Sequence, residues 1–592
     1  MASTLSSTRP ELKGTFGAVA STHWLASAAG MSVLERGGNA FDAAVAAGFV
    51  LQIVEPHLNG PGGDAPIIVH SAETEKTDVI CGQGTFPAAA NAQDLRDQGI
   101  TSIPAMGLLP ATVPGAYGAW ITMLRNYGTW RLRDVMEYAI DYARNGYPLV
   151  PGVPARIAGV EDLFRAEWPT SAEIYLPNDE VPKTGDIFKN VPLADTYERI
   201  VRESEAGGGT REEQIDRALD SWYRGFVAEA IDKFFSTTEV IDDTGARRKG
   251  LLSADDMANW KVEIDEPHTY DFDGWRIFKT APWGQGPVFL QQLALLKGYD
   301  LANMDLSGPD FIHIVAEAAK LAFADRDAWY GDPAMADDYT ADLLADDYNN
   351  ERRKLITDQA SSDFRPGSVR GITPVDARID SAQLLQTLGG GGEPTMQTAI
   401  APGDTCHLDV VDKWGNMVSA TPSGGWLQSS PIIPGLGFCL GTRGQVFNLI
   451  PGHPNEAAPG KRPRTTLTPS FAIGPRKVSF GTPGGDQQDQ WSLLFFLRML
   501  YSGKDMQQII DMPAFHTENL ISSFYPHEFV PGRLVVEDRI APETIEELRR
   551  RGHDVKVADG WSLGRLSAVS YEDGYIRAAA NARLMQGYAI GR

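Results

Sequence analysis

Residues 402–425, PGDTCHLDVVDKWGNMVSATPSGG, constrain the fold more than any other stretch of the chain. The residues alternate from His407 to Val411, the chain turns at Lys413–Trp414–Gly415–Asn416, and Met417–Val418–Ser419–Ala420 runs back. This pattern predicts a β-hairpin. Its first strand opens at Thr405, deep inside a chain of 592 residues and behind a long polar segment. A strand-initial threonine at such an address is the feature to be explained.

The first third alternates glycine-rich turns with apolar helices. In VLERGGNAFDAAVAAGFVLQIVEP (33–56) a helix is expected to end at Gly37–Gly38, with a cap near Asn39 and a new helix apolar on nearly every face. GPGGDAPIIVH (60–70) reads as a turn into a buried strand, and 129–145 and 211–235 as helices with charged outer faces. The periodicity of 310–333 predicts a helix ending at Gly331 and Pro333. Residues 351–404 are polar and broken by four prolines, with a Gly389–Gly392 tract, and are expected to form a mobile surface segment or linker. Strands are expected at 407–420, 437–447, 464–473 and 477–482, then a helix near 487–503. The order predicts an α+β or layered α/β architecture.

With 53 basic against 77 acidic residues the net charge is −24. Such a surface repels phosphate backbones, which argues against a nucleic-acid partner. Cys81, Cys406 and Cys439 cannot build a disulfide framework and fit no metal motif, so no cofactor is expected. The apolar run Ala43 to Val54 is too short to span a bilayer, and MASTLSSTRPELKG has no apolar export core. A cytoplasmic protein with no membrane partner is expected.

A threonine hydroxyl is a weak nucleophile near neutral pH and needs a base. The threonine's own α-amine, with a reference pKa of about 7.7–8.0, is an economical one. That amine exists only if the Asp404–Thr405 bond is cut. A slack segment ahead of a rigid strand is what such a cut requires. Taken alone, Thr405 reads far more readily as the first residue of an ordinary strand.

Six blocks in order change that balance. They are GGNAFDAAVAA (37–47), VEPHLNGPGGD (54–64), AEAAKLAFADRDAWYGDP (316–333), DTCHLDVVDKWGNMVSAT (404–421), PGKRPRTTLTPS (459–470) and FGTPGGDQ (480–487). Together they resemble the γ-glutamyltranspeptidases of the N-terminal-nucleophile hydrolase superfamily. The resemblance implies a four-layer αββα sandwich and a precursor cut before its threonine into pieces 1–404 and 405–592 that stay associated. It implies hydrolysis or transfer of an amide's acyl group, by default from glutathione or another γ-glutamyl compound. Residue by residue, Thr405 falls on the nucleophile, Ser423 on its supporting hydroxyl, and Gly484–Gly485 on the oxyanion pair, where glycine lets backbone N–H groups approach an anion. Thr465–Thr466 fall near the substrate's carboxylate.

The resemblance breaks where the family clamps a glutamyl zwitterion. The carboxylate-binding arginine is replaced within CGQGTFPAA (81–89), most nearly by Gln83. The amine-binding acid is replaced within LGTRGQVFNL (440–449), where Arg443 and Gln445 stand, and an asparagine aligns with Gly425. A cation there repels an ammonium. The departures point toward a different amide, with Trp426, Trp283 and Gln285 as candidates to line the altered pocket. A protein that keeps the fold, stays uncut and only binds is the alternative from another class.

GWSLG (560–564) matches the nucleophile elbow of α/β-hydrolases, but the last histidine, His553, precedes Ser562, so the match is accidental. His407 is expected to be structural, and Asp325–Arg326–Asp327 to form a helix-end ion network.

Overall fold

The computed structural model describes residues 7–379, 405–583 and 587–592. Asp404 and the Gly389–Gly392 tract lie outside them. Two seven-stranded antiparallel sheets form the centre. The first runs Tyr588–Gly591, Gly17–Ser21, Leu408–Asp412, Met417–Ala420, Ala65–Ser71, Lys76–Gly82, Glu263–Asp265. The second runs Leu12–Gly14, Tyr575–Ala580, Ser567–Glu572, Lys477–Gly481, Ser470–Ile473, Trp275–Lys279, His268–Phe272.

Three packed cores turn these sheets into four layers. Val411, Met417 and Ile68 meet Phe471, Val569 and Ile576 between the sheets. Leu408, Val410, Val418 and Ile67 face outward onto helices Trp24–Glu35, Ala40–Val54 and Ala116–Tyr127. On the far side Ile277, Val478, Phe480 and Ala568 pack on helices Gly286–Leu296, Pro309–Trp329 and Gln488–Tyr501. The order helix, sheet, sheet, helix is the αββα sandwich. Because a central strand is covered on both faces, all five residues of Leu408–Asp412 are buried, whatever their polarity.

Several local predictions hold for visible reasons. Asn39 caps Ala40–Val54 with a reciprocal capping box to Asp42, and all fifteen residues of that helix are buried. The hairpin pairs Leu408 with Ala420 and Val411 with Met417. Two strand predictions fail. Gly435 and Gly437 hold positive φ, and within 437–447 the backbone bonds to Gly62 and Pro110 instead of a neighbouring ladder. The result is a short 3-10 turn, Arg443–Val446. In 464–473 only Ser470–Ile473 is a strand, because Pro463 and Pro469 interrupt pairing and Thr465 N–H donates to Trp283 O instead.

Residues 351–379 are the described part of the expected linker. Helix Asp346–Arg353 extends into it, and 354–379, though irregular, is tied to the long helix. Gly367 N–H donates to Asp325 Oδ1 at 2.7 Å, Trp329 Nε1 donates to Gly367 O at 2.9 Å, and Lys320 Nζ donates to Ser361 O at 2.8 Å. No described helix is long and apolar enough to cross a membrane.

Candidate active site

The first sheet's register brings four residues into one row. Leu408↔Ala420 extends, three residues on, to the Thr405↔Ser423 bridge. Met417↔His70 extends to Asp64↔Ser423. Ala65↔Gly82, continued by one, sets Gln83 beside Asp64. Side chains in one such row share a face, and by alternation this face is the one turned toward the second sheet. Thr405, Ser423, Asp64 and Gln83 are all almost fully buried.

Within the row Thr405 Oγ1 lies 3.1 Å from Ser423 Oγ. Arg443, predicted for substrate contact, is an ion-pair partner of Asp64: Nε stands 3.0 Å from Oδ2, and Nη2 donates to Oδ1 at 3.1 Å. Burial pushes the Asp64 carboxyl up, and Arg443 and Thr465 oppose the shift. The guanidinium lies 5.8 Å from the ring centres of both Trp426 and Phe524, and its Nη1 has no partner among the described residues. Both amide atoms of Gln83, and Thr466 Oγ1, are likewise buried without a partner among them. Unsatisfied buried donors and acceptors at Gln83 and at Arg443, the partner of Asp64, mark where a polar occupant belongs.

The second sheet closes over this row. Thr465 Oγ1 reaches Asp64 Oδ2 at 3.5 Å, and Arg565 Nη2 donates to Thr405 O at 3.1 Å. Gly484 (φ 134°) and Gly485 (φ 53°) follow strand Lys477–Gly481 in backbone conformations L side chains rarely adopt. A Cβ on Gly484 would stand 2.2 Å from the Trp491 ring. The next residue, Asp486, is bound by Arg326 Nη1 and by Ser523 N–H at 2.9 Å. Burial alone would raise its carboxyl, but Arg326 and Arg464 hold it below the ordinary range.

Sequence reasoning missed Asp64 and Arg565. Asp64 stood in a quoted block without a role, and no local pattern marks Arg565. Arg326 belongs to more than a helix-end network: fully buried, it also takes Gln285 Oε1 at 2.9 Å and Ile521 O at 2.9 Å, and so fixes the glycine turn. Of the proposed pocket aromatics, Trp426 is beside Arg443, whereas Trp283 sits in the core between the sheets with Nε1 on Asp265. Gln445 does not reach the row directly; its amide donates to Thr442 Oγ1 and accepts from Tyr525 N–H. His407, expected to be structural, bridges Thr421 Oγ1 at 2.9 Å and Asp409 Oδ2 at 3.1 Å. Ser562 Oγ donates to Asp559 O.

Comparison with known proteins agrees with this geometry. The sequence model of the family described as gamma-glutamyltranspeptidase matches residues 26–591. The glutathione hydrolase-like YwrD proenzyme of Bacillus subtilis (strain 168) is 30% identical over 585 residues, covering 98% of this chain and 99% of that protein. The solved structure of LmbA2991HD superposes with a TM-score of 0.93 at 48% identity, over 99% of this chain and 100% of that one. Cephalosporin acylase from Bacillus halodurans superposes with a TM-score of 0.82 at 27% identity, over 99% and 97%. With the family model matched over residues 26–591 and the fold shared across the whole length, the chain is an enzyme of the γ-glutamyltranspeptidase family.

Proposed function

We propose that this enzyme is a self-processing threonine amidohydrolase or acyltransferase, with Thr405 as nucleophile. The observation that carries the reading is the Thr405 Oγ1–Ser423 Oγ contact of 3.1 Å, at the end of a strand fixed by both hairpin partners. In processing, Thr405 Oγ attacks the carbonyl carbon of residue 404 while Ser423 Oγ exchanges a hydrogen bond with it. The C–N bond breaks, the nitrogen takes the proton, and water hydrolyses the resulting ester. Pieces 1–404 and 405–592 remain together, and Thr405 now carries a free amine. In turnover that amine accepts the hydroxyl proton as Oγ attacks the substrate amide. The N–H groups at Gly484–Gly485 stabilise the oxyanion. The proton passes to the leaving amine, and water or an acceptor amine then releases the acyl group.

The acyl pocket favours an amide other than a γ-glutamyl one. Asp64, the acid in the row, is engaged by Arg443, so an incoming ammonium meets a neutralised pair and not a free carboxylate. The unpartnered Arg443 Nη1 and Gln83 amide instead suit a carboxylate or carbonyl oxygen on the acyl group. Denaturing electrophoresis with intact mass tests the first claim: two chains with a new Thr405 terminus are expected. One stable chain with no turnover would leave only a binding role. For the second claim, γ-glutamyl anilides are expected to be poor substrates; brisk turnover of them, lost in Thr405→Ala, would refute it.

A further inference from the structure

Arg565 is buried just ahead of strand Ser567–Glu572 in the second sheet. Ser567 pairs antiparallel with Gly481, so the chain before Ser567 runs beside the chain that leaves Lys477–Gly481 for the glycine turn. There the Arg565 N–H donates to Thr482 Oγ1 at 2.9 Å, and that hydroxyl donates to Pro483 O at 2.7 Å. Pro483 O belongs to the same planar peptide unit as the Gly484 N–H. Holding the carbonyl therefore fixes the direction in which that N–H points.

The side chain of the same residue crosses to the first sheet, where Nη2 donates to Thr405 O at 3.1 Å. Arg565 thus grips the nucleophile's own carbonyl with its guanidinium and the peptide of the oxyanion donor through its backbone. Its charge is felt around the nucleophile. Burial and Glu55 push the thiol of Cys406, the next residue along, well up, and Arg565 opposes them. Burial holds His57 well below its ordinary range, and Arg565 adds to that.

We infer that Arg565 is a positioning residue, which sets the spacing between Thr405 Oγ and the Gly484 N–H across the two sheets and keeps a cation beside the nucleophile's amine. The inference rests on the Thr405 mechanism and extends it. The amine freed by cleavage belongs to the residue whose carbonyl takes the guanidinium. A like charge at that distance disfavours the ammonium and leaves more of the amine free to act as base. Among the described residues, the other charged or titratable groups facing this contact are Glu55, which accepts from the Cys406 thiol at 2.9 Å, His57, the His407–Asp409 pair and the Asp64–Arg443 pair. All of these stay in the variants below, so a difference between their pH profiles reports Arg565.

The test follows hydrolysis of p-nitrophenyl acetate, whose small activated acyl group asks little of the acyl pocket, with the rate of Thr405→Ala subtracted and cut chains counted by intact mass. Arg565→Met is expected to lower kcat/KM per cut chain about 10–100-fold and to move its pH midpoint up by about one unit. Arg565→Lys is expected to keep the wild-type midpoint and recover part of the rate. Thr482→Val, which removes the hydroxyl between Arg565 and Pro483 but leaves the charge, is expected to cost about tenfold with the midpoint unmoved. A midpoint that stays put in Arg565→Met, or a rate within about twofold of wild type in Arg565→Met or Thr482→Val, overturns the assignment. Should Arg565→Met stay uncut or fail to fold, the other two variants decide: lost rate at an unmoved midpoint supports the assignment, and an unchanged rate or a shifted midpoint overturns it. A wild type that is uncut, or no faster than Thr405→Ala, defeats the threonine mechanism itself, which is a separate result.

Discussion

The Asp64–Arg443 pair sets the character of the candidate site. Both partners are buried, so removing one leaves an uncompensated charge at a cost of about 3–5 kcal/mol. Arg443→Met should therefore lower the melting temperature by several degrees, and adding Asp64→Asn should recover much of the loss. If the double variant melts no higher than the single one, the pair is not the source of the effect. At Thr405 the expectation is chemical. Thr405→Ala should give one uncut chain by intact mass with no change in fold. In the mature enzyme, log kcat/KM should rise with unit slope up to the amine's pKa, near 7.7–8.0 if unshifted, and then level off. A flat profile between pH 6 and 9 would exclude the amine as base.

In the proposed mechanism the glycine turn after Lys477–Gly481 is the element on which oxyanion stabilisation depends. Gly484→Ala forces a methyl into Trp491 at a φ of 134°. Its kcat/KM is expected to fall about 10²–10³-fold, the usual range for losing one such donor, while circular dichroism stays close to wild type. Loss of less than threefold would show that the turn does not carry the donor. Elements like this were legible wherever the pattern was local. Asn39 with Asp42 announces its capping box within four residues, and the Leu408–Ala420 hairpin announces its own register. The row was legible only in part, since Thr405 and Ser423 stand on the two strands of one hairpin, while Asp64 comes from a strand some 340 positions earlier. Nothing in a linear sequence says that Asp64 meets Arg443. Residues 437–447 misled because apolar content suggested a strand, whereas Gly435, Gly437 and the distant acceptors Gly62 and Pro110 decided the backbone.

On the scale of the whole molecule, burial of uncharged histidines sets the acid limit. Burial lowers His23 to about 3, and His70 and His453 to about 4. Each folded-state value is depressed below the unfolded value near 6.5, so the stabilisation is present above 6.5 and lost as pH falls through that value toward 4. By pH 5 the loss is on the order of 2 kcal/mol for each. Melting temperature should fall steeply from pH 6.5 to 5. His23→Asn, which keeps a side-chain acceptor for the Leu25 N–H at the start of helix Trp24–Glu35, should flatten that slope; an unchanged slope would acquit His23.

The pairing of Gly17–Ser21 between Tyr588–Gly591 and Leu408–Asp412 has one more consequence. Phe16 N–H donates to Arg592 O at 2.7 Å, so residues 16 and 592 already touch. A gene rearranged to start at Thr405, run through 592 and continue across a short glycine bridge into the former front half would need no new contact to fold. Once its initiator methionine is trimmed, such a rearranged chain would be born with the free threonine amine that the proposed mechanism otherwise obtains by cleavage.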